Sequence, residues 1–174
     1  MKKPDIIIVD DNKTFRQSLI LLMTVENIAN VIGKASNGIE FLDLLSTIKP
    51  DLVLMDIDMP EMNGLDATQK ALELIPDLKI IVFSMYGSEE YYSKMIELGV
   101  KGYILKSCHI NEFEKAIRDV MKGGNYYFTN IKSENFKNKV LKEGDKILSE
   151  NSDMTVTEVK LIHNIYSESL NQKK

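Results

Sequence analysis

The chain has 174 residues, 44% of them hydrophobic and 28% charged, with one cysteine and a formal net charge of −4. That is the profile of a folded domain of ordinary size with an appendage. It excludes a disulfide-stapled scaffold and an overall basic nucleic-acid binder. No apolar run approaches the ~20 residues of a membrane span, and Ile6 to Val9 is too short for the core of a secretory signal. The expected location is therefore the cytoplasm, with no membrane partner. Charge is uneven along the chain. Residues 131–174 hold 8 lysines and 7 acidic residues, against 14 basic and 19 acidic residues in 1–130.

Ile6-Ile7-Ile8-Val9 is apolar and β-branched throughout, the pattern of a strand covered on both faces. A helix starts at Asn12 or Lys13 and carries Phe15, Leu19, Leu22 and Met23 at helical spacing. Val31 to Ala35 is a second strand. Asn37-Gly38 turns into a helix with Phe41, Leu44, Leu45 and Ile48 on one face, and Pro50 is expected to stop it. Leu52 to Met55 is a third strand, followed by a helix over Leu65 to Ile75 that Pro76 closes. Ile80 to Phe83 is a fourth strand ending at Ser84. Ser88, Glu89 and Glu90 place acidic groups at the positive end of the next helix, and Gly99 closes it. Gly102 to Leu105 is a fifth strand ending at Lys106. Ile110 to Met121 is the last helix of this series, closed by Gly123-Gly124.

Five strand–helix alternations predict an α/β domain over 1–124, a five-stranded, parallel, doubly wound sheet with helices on both faces. Residues 125–153 read as a linker, partly helical through Phe136, Val140, Leu141, Ile147 and Leu148. In 154–174, Thr155 to Glu158 is a capping-box pattern ahead of an amphipathic stripe of Val159, Ile162, Ile165 and Tyr166.

In such sheets chemistry sits at the carboxyl ends of the strands. Those ends carry Asp10, Asp11, Asp56, Ser84 and Lys106. Clustered carboxylates repel one another, so they are expected to bind a divalent cation or retain a proton. Hard oxygen ligands of this kind suit Mg²⁺, which in turn suits phosphoryl chemistry. A lysine can pair with phosphoryl oxygens and a serine hydroxyl can donate to one. The plainer reading is a set of solvated turn residues, which would serve for one acid but not for five polar groups at matching strand ends.

The pieces IIIVDD, DLVLMDIDMPEMNG, IIVFS and KGYILK, in this order, resemble the receiver domain of two-component response regulators over about residues 5 to 124. The resemblance implies a flavodoxin-like fold and a phosphoryl group accepted on Asp56 from a sensor histidine kinase. It implies that Asp11 ligates Mg²⁺ directly, that Asp10 acts largely through water, and that the backbone carbonyl of Asp58 completes the metal site. Lys106 would pair with the phosphoryl group, Ser84 would move toward it, and Tyr103 would rotate inward as the readout. The altered surface would span roughly residues 86 to 122. The Asp58 carboxylate and the bulky Met85 and Tyr86 beside the site are expected to restrict access of water and small phosphodonors. The domain would not be an enzyme beyond its own phosphorylation and slow dephosphorylation.

The exit Gly123-Gly124-Asn125-Tyr126-Tyr127 is similar to that of NarL-type regulators. The segment MTVTEVKLIHNIYSESLNQKK resembles the opening of their LuxR-type helix-turn-helix domain, without its recognition helix. DNA binding is therefore expected only of a complete chain. A plain dimerisation helix is the alternative for the tail, and a homodimer is expected in either case. Two other functions compete with transcriptional control. One is an interaction module acting through phospho-dependent dimerisation alone. The other is a phosphatase of the haloacid dehalogenase type, suggested by Asp56-Ile57-Asp58 but disfavoured by Pro60 and the third-strand placement. His109, His163 and Cys108 lack metal-spaced or basic partners and are expected to be ordinary surface, interface or structural residues.

Overall fold

The protein is described here by a computed structural model covering residues 2–85 and 89–127. Its elements alternate strictly: β1 (Asp5–Val9), α1 (Lys13–Val25), β2 (Asn30–Ala35), α2 (Gly38–Leu45), β3 (Leu52–Met55), α3 (Gly64–Leu74), β4 (Ile80–Ser84), α4 (Glu89–Leu98), β5 (Gly102–Leu105), α5 (Ile110–Met121) and β6 (Tyr126–Tyr127). All strand pairs are parallel and the sheet order is β2-β1-β3-β4-β5-β6. The expected five strands are thus six. The sixth is a two-residue strand that pairs Tyr126 with Gly102 and Tyr127 with Tyr103.

Strand alternation builds two apolar layers. Ile6, Ile8, Leu52, Leu54, Ile81, Phe83 and Ile104 face α1 and α5, where Leu19, Met23, Phe113, Ala116, Ile117 and Val120 complete one core. The intervening residues Ile7, Val9, Val53, Met55, Ile80 and Val82 are equally buried on the other face, where α3 packs between α2 and α4. Burial on both sides is why β1, β3 and β4 are continuous apolar runs. At the β2 edge, exposure alternates instead.

Asparagine opens each of the first three helices. Asn12, Asn37 and Asn63 Oδ1 atoms accept from the backbone N–H of Phe15, Glu40 and Asp66 at 3.0, 2.9 and 2.9 Å. Each such cap satisfies an N–H that the first helical turn leaves unpaired. Helix α2 ends at Leu45, ahead of the stop expected at Pro50. There the backbone tightens: Ser46 N and Thr47 N donate to the carbonyls of Asp43 and Leu44, three residues back, at 3.2 and 3.0 Å, and the hydroxyls of the same residues reach those carbonyls at 2.6 and 3.2 Å. Among the described residues, no helix is long and apolar enough to cross a membrane. The readings of Tyr86 and of residues 128–174, including most of the linker and all of the helix-turn-helix-like segment, lie outside the described residues.

Candidate functional site

The chain passes from β1 outward to β2 and then back across β1 to β3, so the sheet order reverses between β1 and β3. Open parallel sheets bind ligands at this switch point, outside the carboxyl strand ends. Two backbone hydrogen bonds extend the ladder past the strands here. Asp10 N donates to Ala35 O at 3.1 Å and Asp56 N to Val9 O at 2.8 Å. A third, from Lys106 N to Ser84 O at 2.8 Å, does the same across β4 and β5. Sheet registry therefore fixes the Cα positions of Asp10, Asp56 and Lys106.

The side chains then converge. Lys106 Nζ lies 2.7 Å from Asp10 Oδ2 and 2.7 Å from Asp56 Oδ2. The Lys106 side chain is 5% exposed, and those of Asp10 and Asp56 are 3% and 6% exposed. The remaining carboxylate oxygens are held by the backbone. Asn12 N donates to Asp10 Oδ1 at 2.8 Å and Ile57 N to Asp56 Oδ1 at 2.8 Å. Arg16 bonds the carbonyl of Asp10 and thereby ties α1 to the same loop. Asp11 is exposed, and its carboxylate lies with those of Asp10 and Asp56 in a group whose ligand oxygens are all within 4.8 Å of one another. Ionised, these three acids outweigh the one ammonium by two charges. That donor set fits a hard divalent cation such as Mg²⁺.

Burial pushes the Asp56 carboxyl above the ordinary carboxylate pKa, although Lys106 pulls the other way. Burial also opposes the charge on Lys106, yet its hydrogen bonds to Asp10 and Asp56 outweigh that and raise its pKa. Burial thus resists the charge on Asp56, while the two carboxylates favour the charge on Lys106.

The turn after Asp56 is shaped by backbone packing. Gly64 N donates to Ile57 O at 2.8 Å. A Cβ at Gly64 would sit 1.8 Å from the carbonyl oxygen of Asp56. Between them, Glu61 takes φ 64°, in the left-handed region that non-glycine residues rarely adopt. The Asn63-Gly64 pair thus does two jobs: Asn63 caps α3, and Gly64 lets that helix start against the backbone of Asp56.

The family model for the response regulator receiver domain matches residues 6–118 of this fold. The chain belongs to the response regulator receiver family. It is 32% identical over 124 residues to the transcriptional regulatory protein DegU of Brevibacillus brevis, covering 71% of this chain and 52% of that protein. It is 36% identical over 122 residues to the oxygen regulatory protein NreC of Staphylococcus aureus (strain JH9), covering 70% and 56%. A solved DNA-binding response regulator of the LuxR family from Staphylococcus aureus superposes with a TM-score of 0.64 at 25% identity, covering 68% of this chain and 98% of that one. The chain spans about half the length of the curated relatives it matches. It carries the receiver domain of a two-component response regulator of the NarL/LuxR type, and the phosphatase alternative is set aside.

In this receiver Ser84 is buried at the end of β4, and Tyr103 is fully buried on β5. The resemblance implied a Tyr103 that rotates inward on activation, whereas here the ring already lies inside. Its ring meets that of Tyr92 of α4 in a tilted contact, with centroids 4.9 Å apart and planes at 54°. Burial raises the Tyr103 hydroxyl to about 12, with a hydrogen bond from Ser84 opposing the rise. Asp58 is exposed two residues past Asp56, and Met85 is 58% exposed beside Ser84. Cys108 is half-buried, and burial pushes its thiol up to about 12, which suits a structural residue. His109 is the N-cap of α5, where its backbone N–H donates to Glu112 Oε2 at 3.3 Å. Sequence reasoning missed Phe15 at this site. Helical spacing assigned it to the core, but its ring lies 4.8 Å from Lys106 Nζ.

Proposed function

We propose that this receiver is a phosphorylation-controlled switch in which Asp56 accepts a phosphoryl group from a sensor histidine kinase. The observation that carries the reading is the Lys106 ammonium, held 2.7 Å from both Asp10 and Asp56 in a nearly dry pocket that Asp11 joins at its rim. In the transfer, a carboxylate oxygen of Asp56 uses a lone pair to bond phosphorus. The bond from phosphorus to the donor imidazole nitrogen breaks, and that nitrogen keeps the electron pair and takes a proton. Ile57 N and Lys106 hold the carboxylate in one orientation before the donor arrives. Lys106 then follows the negative charge onto the phosphoryl oxygens. Asp10, Asp11, Asp56 and the backbone carbonyl of Asp58 are the groups to hold Mg²⁺, which when bound offsets the charge of the carboxylates and the phosphoryl group.

Ser84 would exchange its bond to Tyr103 for one to a phosphoryl oxygen. The contacting rings of Tyr103 and Tyr92 would carry that exchange to α4, altering the face made by α4, β5 and α5. Asp58, Met85 and Tyr86 would limit attack by water on the acyl phosphate. The output we propose is control of dimerisation and, in a protein of the relatives' length, of DNA binding and transcription in the cytoplasm. The chain's similarity to a transcriptional regulatory protein and an oxygen regulatory protein supports this. An interaction module without DNA binding is the alternative, and DNA binding by these 174 residues alone is not proposed.

The test is intact mass after incubation with a small phosphodonor and Mg²⁺, for the wild-type chain and Asp56→Ala. One base-labile phosphoryl adduct, absent from the variant, is the expected result. A wild-type chain that takes no adduct and does not bind beryllofluoride would sink the reading.

A further inference from the structure

We infer that Phe15 is a positioning residue for Lys106, holding its ammonium beside Asp56 through the face of the phenyl ring; this rests on the phosphoryl-transfer reading above. An ammonium has three N–H groups. Two of the directions around Lys106 Nζ are taken by Asp10 and Asp56 at 2.7 Å each. The Phe15 ring stands over the same nitrogen with its centroid 4.8 Å away, within cation–π range. The Lys106 side chain is only 5% exposed, so the ring occupies a side of the ammonium that water would otherwise take.

The ring is itself fixed from two directions. Phe15 N donates to Asn12 Oδ1 at 3.0 Å, and Asn12 N donates to Asp10 Oδ1 at 2.8 Å. The loop that orients Asp10 therefore also sets the first turn of α1 and with it the ring. On its other side Phe15 meets Phe83 at 5.6 Å, and Phe83 meets Phe113 of α5 at 5.3 Å. A ring seated against Phe83, which Phe113 backs in turn, cannot swing away from the lysine without disturbing the core.

Asp10 and Asp56 are also the residues that would hold a divalent cation. Shared with one, their oxygens would bind Lys106 less, and an ammonium losing both partners would be drawn toward water. The negative face of the Phe15 ring gives it a third attraction that the cation does not remove. Lys106 then stays where the transferred phosphoryl oxygens arrive. A leucine of similar bulk would fill the space without that attraction, whereas tyrosine or tryptophan would keep it.

The experiment is a double-mutant cycle on the full chain, with Phe15→Leu, Lys106→Met and the pair, and with Phe15→Tyr as the conservative control. The readout is the phosphorylation rate constant at saturating small phosphodonor and Mg²⁺. We expect Phe15→Leu to slow transfer about three- to tenfold, as a partly desolvated cation–π contact implies. Half-saturating Mg²⁺ should change less than about twofold, since Phe15 carries no metal ligand. Phe15→Tyr should restore the rate, and Phe15→Leu should cost nothing further in the Lys106→Met background. Equal rates for Phe15→Leu and wild type, or the same loss with and without Lys106, would overturn the assignment. A wild-type chain that takes no phosphoryl group would overturn the underlying function instead. The same cycle read as thermal melting midpoints then decides the pairing: coupled midpoints support it, and additive ones overturn it.

Discussion

The titration of Asp56 is set by its buried position rather than by its residue type. Its native pKa lies above the unfolded value because burial disfavours the anion. The sign follows from linkage. The contribution of this group is most favourable below the ordinary carboxylate pKa and is lost as pH rises through the raised native value. At neutral pH the ionised side chain therefore weakens the fold. Asp56→Asn, which leaves Lys106 paired with Asp10, should raise stability at pH 7 by about 1 kcal/mol and flatten its decline with rising pH above about 4. Urea denaturation at pH 4 and pH 7 checks both. Gly64→Ala should do the reverse. Its Cβ collides with the Asp56 carbonyl, and the helix or the carboxylate must move. A loss on the order of 3 kcal/mol is expected, with phosphorylation impaired even in chains that remain folded by circular dichroism. Thr68 on α3 offers a milder case. Its hydroxyl is buried without a hydrogen-bond partner, so Thr68→Val should stabilise the protein by about 1 kcal/mol in the same assay.

At the scale of elements, the signals in the chain differ in kind. Helix α5 runs from Ile110 to Met121 as its spacing predicts, because an apolar stripe and Gly123, at φ 92°, mark its face and its end locally. Helix α2 stops before its proline in a tighter turn, where the N–H groups and hydroxyls of Ser46 and Thr47 share the carbonyls of Asp43 and Leu44, a local arrangement that periodicity does not register. Strand β6 was illegible for a different reason. Tyr126-Tyr127 is too short for any period, and its pairing depends on β5, more than twenty residues earlier. Yet the strand is well anchored. Tyr126 is buried, Lys115 Nζ lies over its ring at 5.2 Å, and Tyr127 Oη donates to Val100 O at 2.8 Å. Tyr126→Ala should cost about 3 kcal/mol. Amide exchange should then quicken first at Gly102 and Tyr103, the residues whose edge β6 covers.

For the molecule as a whole, the acidic pocket gathers three carboxylates around one ammonium, and a bound cation would offset the excess charge. Mg²⁺ at a hundred times its dissociation constant should stabilise the native receiver by about 2.7 kcal/mol, or roughly 8 °C in melting temperature. Asp10→Ala should abolish most of that shift. Lys106→Met should enlarge it, because the competing ammonium is gone, while lowering the midpoint without metal. The components of this site were readable because four apolar strand runs each stop at polar residues: Asp10 and Asp11, Asp56, Ser84 and Lys106. Their mutual arrangement was not. That Lys106 bridges two acids, that Asp11 faces outward and that Tyr103 is already inside are facts of side-chain direction, which the order of residues does not encode by itself.

The contact between Gly64 and the backbone of Asp56 has a genetic counterpart. Every coding change at position 64 adds at least a Cβ, and none can be absorbed by a rotamer because the obstacle is a main-chain carbonyl. A saturation library selected for signalling should therefore be empty at this codon except for synonymous variants. Glu61, exposed on the same loop at φ 64°, should accept chiefly glycine, asparagine and aspartate, a narrow set but not an empty one. The most constrained position in this turn would then be the one with no side chain to offer.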